Sequence, residues 1–149
     1  MIDAKTYLED IRIKRQLIER LRVRRDHIHM DIGGGGIDYT RDKIMTSGGN
    51  PLEVAAEKMF ERIEQIDAQI RRLTLEVDNR LALLELLDNA QHKEILFERY
   101  SQYLSLEQIA VQMGYNYNYV CSMHGEALAL LSDLIVKNDS DNDEYLSKS

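Results

Sequence analysis

The sequence predicts an all-α protein: a long N-terminal helical hairpin of coiled-coil type and a C-terminal three-helix helix-turn-helix unit. Three observations lead there. The chain has one proline and no run of alternating β-branched residues, so no strand pattern emerges. Apolar residues recur from Leu52 to Leu87 in alternating steps of four and three, a period of 3.5 that marks a coiled-coil seam. The stretch Ser105–Leu131 places a small residue, a glycine and apolar residues where two crossing helices and their turn require them.

The first helix is expected over about Asp3–His29. Tyr7, Ile11, Ile18, Leu21 and Ile28 recur at helical spacing, with Lys14 and Arg25 interrupting the seam. The glycines of Asp31-Ile32-Gly33-Gly34-Gly35-Gly36 make continued helix costly, and a glycine-rich loop over 31–50 follows, ending past Gly48-Gly49. Asn50-Pro51-Leu52-Glu53 reads as a helix start, with Asn50 as cap and Pro51 at the first helical position. The seam of the next helix is Leu52, Ala56, Met59, Ile63, Ile66, Ile70, Leu73, Val77, Leu84 and Leu87, broken only by Arg80. A helix of that length spans about 55 Å. Folding the first helix back on it gives an antiparallel hairpin over 1–88; two hairpins pairing would give a homodimer, the bland alternative being the intramolecular hairpin alone.

A compact unit is expected over 89–136. Its first helix runs near Asn89–Tyr103 and offers Ile95, Leu96, Arg99 and Tyr100. Ser105 and Gln108 form a capping box, with Leu104 and Ile109 as its staple. Ala110 must be small where the next helix crosses, and Gly114 can take the positive φ of the turn. Ile109, Met113, Tyr115, Val120 and Met123 fill the wedge, while Ala127, Leu128, Leu131 and Leu134 continue the buried face. The remainder, 137–149, is polar and acidic and reads as a disordered tail.

Bulk properties bound the function. At 149 residues and 44% hydrophobic, the chain fits one domain, or a small domain with an extended helical part. No apolar segment approaches the roughly 20 residues of a membrane span, and no signal-peptide core begins the chain. The single cysteine, Cys121, excludes an internal disulfide and suits a reducing cytosol, so a cytoplasmic protein with no membrane partner is expected. Net charge is −7, but unevenly placed: residues 1–30 hold eight Lys/Arg against five Asp/Glu, whereas 89–149 hold four against nine.

If the second helix of the motif enters a major groove, Asn116, Tyr117, Asn118, Cys121 and Ser122 face the bases, with Gly125 beyond them. Asn118 suits a bidentate pair with adenine, and Ser122 a base edge or phosphate. Tyr117 and Tyr119 suit phosphates or thymine methyls. The bland alternative makes the tyrosines packing residues, and Asn116 and Asn118 local helix-start chemistry. No Lys or Arg lies at these positions, so the module alone should hold DNA weakly. Arg20, Arg22, Arg24 and Arg25 of the basic first helix are candidate phosphate contacts, or else a solvated face.

No enzyme is legible. His27 and His29 point to different faces of one helix, and His92 and His124 lack ligand-spaced partners, so no metal is expected. The glycine run follows no strand and precedes no Lys-Ser/Thr, which rules it out as a phosphate loop. No cofactor is implied.

The segment LFERYSQYLSLEQIAVQMGYNYNYVCSMHGEAL adds a resemblance. Its marks are Arg99-Tyr100, Glu107-Gln108-Ile109-Ala110, Met113-Gly114-Tyr115, and His124-Gly125 before Ala127-Leu128. With YLEDIR, DYTRDKIMTSGG and the long helix that follows, it resembles phage and prophage transcriptional regulators of Gram-positive bacteria. These are the late regulators of the ArpU/RinA type, whose helix-turn-helix is like region 4 of sigma-70 factors. The resemblance implies activation of phage late genes through promoter DNA, together with host RNA polymerase, in a bacterial host cell. It implies DNA reading through Tyr117, Asn118, Cys121 and Ser122. Two other functions fit the same pattern: a packaging or assembly protein like a small terminase subunit, and a helix-turn-helix that binds protein instead of DNA.

Overall fold

The protein is all-α. The computed structural model describes the backbone of residues 3–33 and 51–147 and the side chains of 3–31 and 51–141. Five helices occur among the described residues: α1 (Ala4–Gly33), α2 (Pro51–Leu84), α3 (Ala90–Tyr100), α4 (Leu106–Met113) and α5 (Tyr117–Ser147). Most of the expected glycine-rich loop, with Asn50, lies outside the described residues. α1 takes in Gly33, beyond the expected end near His29.

The chain divides into two compact units, and the division differs from the expected boundary at residue 88. One unit joins residues 1–14 to 76–149; the other is Arg15–Leu75. The cause is the core. Ala4, Leu8 and Ile11 of α1 cluster with Val77, Leu83, Leu84 and Leu87, with Leu96 and Tyr100 of α3, and with Ala127, Leu131 and Ile135 of α5. Leu8, Ile11, Leu96 and Leu131 have no exposed surface. Asp3 caps α1 by accepting from the Thr6 N–H at 2.8 Å, and the Ala4 N–H donates to Ser132 Oγ at 3.1 Å. The first turn of α1 is thereby tied to α5.

A second cluster of the same unit holds the motif together. Ile95 of α3, Ile109 and Ala110 of α4, and Val120 and Met123 of α5 are buried, with Leu104, Leu106 and Met113 packed against them. Ile95 and Leu96, adjacent in sequence, thus serve two clusters, and α3 lies between them.

The residues that break the apolar seams are ties between helices. In the first unit Lys14 reaches Asp10 at 2.9 Å and Glu76 of α2 at 3.0 Å. Arg80 donates to the Tyr7 carbonyl at 2.8 Å, pairs with Asp10 at 3.3 Å and covers the Tyr7 ring at 4.3 Å. Hydrogen bonds to the two carboxylates, outweighing desolvation, raise the Lys14 pKa. In the second unit Ile18 and Leu21 of α1 pack with Ile66, Ile70 and Leu73 of α2, and Arg25 donates to Asp67 at 2.9 Å. A long cation at a seam position keeps its stem in the apolar layer and its head on a carboxylate at the edge.

α5 departs from expectation twice. It continues as helix from Asn138 to Ser147, where a disordered tail was expected. Burial of the helix as far as Ile135 supplies the nucleus, and each further residue then adds one hydrogen bond at little cost. Its segment Tyr117–Asp141, 25 residues long, contains an 18-residue window of mean hydropathy 1.3 and so meets the length and apolarity of a membrane span, which no segment was expected to do. The apolar residues Val120, Met123, Ala127, Leu131 and Ile135 within it are buried in the unit's two clusters.

Candidate nucleic-acid interface

α4, its turn and α5 form around three local devices. Ser105 accepts from the Gln108 N–H at 3.1 Å while the Gln108 side chain accepts from the Ser105 N–H at 2.9 Å, the reciprocal box expected there. Gly114 ends α4 in the left-handed region at φ 71°, and its N–H returns to the Ala110 and Val111 carbonyls. Asn116 then caps α5, its side chain accepting from the Asn118 N–H at 2.8 Å.

The turn is locked from outside. Gln91 on α3 donates through Nε2 to the Tyr115 hydroxyl at 2.6 Å and accepts from the Tyr119 hydroxyl at 3.1 Å. The two rings lie 5.3 Å apart, tilted 56°. Tyr115 therefore does not fill the wedge as expected; it is 40% exposed and stands against Tyr119. Tyr119, expected to meet phosphate or thymine, spends its hydroxyl on Gln91. A long amide facing two tyrosines is visible in the sequence, but nothing in the spacing predicts the triple contact.

The five residues expected to face DNA all lie at the start of α5 or its cap, and they divide by occupation. Asn116 is committed to the cap. Tyr117 and Cys121 lie one turn apart, and the neighbouring thiol holds the phenol pKa above its ordinary 10.0. Cys121 is half-buried, whereas Asn118 and Ser122 are exposed. Asn118 and Ser122 are thus left with their amide and hydroxyl turned outward.

Gly125 continues this face one turn on. A Cβ built there meets nothing within 4 Å, so packing does not demand the glycine. Replacing it with alanine is expected to stabilise the helix by about 1 kcal/mol, from propensity alone. Urea denaturation of Gly125→Ala checks the value; a loss of stability would mean that the glycine serves the fold.

The candidate phosphate contacts fare unequally. Arg25 is held by Asp67 and lies 3.7 Å from Asp26, and Arg22 lies 3.8 Å from Glu19. Arg20 and Arg24 are exposed and make no ion pair among the described residues. All four belong to the Arg15–Leu75 unit, whereas Asn116–Ser122 belong to the other.

Two histidines pack on the inner side of the motif. His124 Nε2 is hydrogen-bonded to the Tyr100 hydroxyl at 2.9 Å, with the rings stacked at 5.8 Å. Burial, followed by the Arg99 and Lys5 charges, lowers the His124 pKa from 6.5. The fold thus favours the neutral ring, and on acidification the unfolded chain takes up this proton first. The contribution of His124 to stability is whole above pH 6.5 and declines as pH falls below it, until the folded state is protonated too. Urea denaturation at pH 7.5 and pH 5.5 should show the decline, and His124→Gln should show a smaller one. An equal decline in the variant would assign it elsewhere.

His92, on α3, is 6% exposed, and neither ring nitrogen has a hydrogen-bond partner among the described residues. Its Nε2 stands 3.5 Å from the exposed carboxylate of Glu126 on α5. Sequence reasoning passed over this pair because its members lie 34 positions apart on separate helices. No group of three or more His, Cys, Asp or Glu able to hold a metal occurs among the described residues. Comparison with protein-family models, with curated proteins and with solved structures found no match.

Proposed function

We propose that the chain is a DNA-binding transcriptional regulator of the phage late-activator kind. It would read promoter DNA with the exposed start of α5, act beside host RNA polymerase, and work as a homodimer. One observation carries the reading. The first turns of α5 present Asn118, Ser122 and Gly125 outward while Val120, Met123 and Ala127 anchor the other side. That is the division of labour a recognition helix needs, with base-edge chemistry outside and a rigid seat within. The Gln91 bridge and the Asn116 cap fix the direction in which this face points. The missing glycine side chain lets a groove wall approach the helix closely.

The test is selection of duplexes from a randomised pool by the whole chain, followed by anisotropy titrations at low salt with and without polymerase. Asn118→Ala should weaken the selected site by about 1–3 kcal/mol and relax preference at one base pair. Binding that is independent of sequence under both conditions would overturn the reading. Light scattering separates a regulator from a packaging protein, since a dimer suits the first and a ring of eight or more the second.

A second reading, docking on protein, is favoured by Val111, an apolar side chain of α4 left 84% exposed. Val111→Ser should abolish polymerase dependence if that docking operates, and leave duplex preference unchanged.

A further inference from the structure

Among the described residues, most cations of the Arg15–Leu75 unit that make no ion pair fall on one side of it, Arg71 being the exception. With Ile63, Ile66, Ile70 and Leu73 of α2 turned inward, the 100° step of the helix puts Asp67 on one flank of the seam. The same step puts Arg62 and Gln69 on the other flank, with Lys58, Gln65 and Arg72 further round the same way. On α1, where Ile18 and Leu21 face inward, Arg25 leans to the Asp67 flank and bonds it. Leu17, Arg20, Arg24 and His27 lie on the opposite side.

Arg20, Arg24, Lys58, Arg62 and Arg72 are all exposed and make no ion pair among the described residues. From Leu17 to His27 on α1 and from Ala55 to Arg72 on α2, this flank holds one carboxylate, Glu61, at its outer edge beside Arg72. The opposite flank holds Glu57, Glu64 and Asp67 on α2 and Glu19 and Asp26 on α1. Arg22 and Arg25, which make ion pairs, lean to that side.

We propose that this flank binds the phosphate backbone of double-stranded DNA through Arg20, Arg24, Lys58, Arg62 and Arg72. The proposal rests on the duplex-binding reading above and supplies the phosphate contacts that the start of α5 lacks. Lys58 and Arg72 are about 21 Å apart along a straight helix, enough to follow several phosphates. Free cations suit the task better than Arg22 and Arg25, which would first have to give up their carboxylates. The exposed amides of Gln65 and Gln69 add neutral donors to phosphate oxygens. An anionic lipid surface is the less favoured partner, because the exposed apolar side chains on the flank, Leu17 and Val54, are few among its cations.

The test uses the whole chain and a labelled random-sequence duplex, titrated over a range of salt. Removing one cation from a phosphate should lower the slope of log K against log salt by about 0.9. Arg62→Ala/Arg72→Ala and Arg20→Ala/Arg24→Ala should therefore each flatten the slope by up to about 1.8 and weaken binding tenfold or more at low salt. Arg71→Ala, on the opposite flank, should change neither. Alanine is a good helix former at these exposed sites, and circular dichroism verifies that each variant is folded.

Unchanged slopes in both double variants would overturn the proposal, as would an equal effect in Arg71→Ala. Failure of the wild-type chain to bind duplex at low salt would also overturn it, and so would binding confined to anionic vesicles. The α5 reading fails differently: Asn118→Ala would then leave sequence preference untouched while the flank variants still flatten the salt dependence.

Discussion

A fragment of residues 89–149 is expected not to fold as a cooperative unit, although it contains the whole of α3, α4 and α5. Cutting at Asn89 removes Ala4, Leu8, Ile11, Val77, Leu83, Leu84 and Leu87 from the core that covers Leu96, Tyr100, Leu131 and Ile135. Each buried Val, Leu or Ile side chain contributes about 1.5–3 kcal/mol relative to exposure, so the loss is comparable to the whole 5–15 kcal/mol by which a typical domain is stable. The remaining cluster of Ile95, Ile109, Ala110, Val120 and Met123 is too small to compensate. Far-UV circular dichroism should show reduced helix and a broad melt, and amide NMR signals should be poorly dispersed. A sharp transition with dispersed signals would establish 89–149 as a domain of its own.

Leu8→Ala should destabilise the Asn118-bearing unit by about 2–5 kcal/mol, the usual cost of emptying a leucine site in a core. Leu8 is wholly buried and clusters with Leu131 of α5. Leu17, on the same helix, is 41% exposed, and Leu17→Ala should cost well under half as much. Chemical denaturation of both variants checks the ratio. The chemistry of the two substitutions is identical, so the comparison isolates burial. Equal losses would mean that the first turns of α1 do not belong to this core.

Much of the architecture was open to reading because it is local. The capping box at Ser105, the left-handed Gly114 and the cap at Asn116 each depend on side chains within a few positions, and all three were legible. The seams of α1 and α2 were legible as periodicity, and even their interruptions, Lys14, Arg25 and Arg80, could be located. What those interruptions do was not, since the carboxylates they meet are defined by the pairing of two helices.

The same limit explains the domain boundary. A glycine run and a change in charge mark a border in sequence, but the start of α1 is joined to α5 by packing that no period reveals. Tyr115 and Tyr119 show the limit within the motif. Their spacing suits a wedge or a groove, and a single amide on α3 draws them elsewhere. The charges on α2 went unused for a related reason. Lys58, Arg62 and Arg72 are ordinary exposed cations until the seam orientation puts them beside Arg20 and Arg24 on one side.

The hydrogen bond from Ala4 to Ser132 joins groups 128 positions apart. During synthesis, Arg15–Leu75 has all its own partners once Leu75 has left the ribosome. Leu8 and Ile11 must instead wait, uncovered, for Leu131 and Ile135, which are made much later. Closing so long a loop late makes the assembly of this unit the slow step in folding, and its early residues are the ones most in need of a chaperone. α5 is thereby the last of the described helices to find its core, and a product truncated before it would leave Leu8 and Ile11 uncovered.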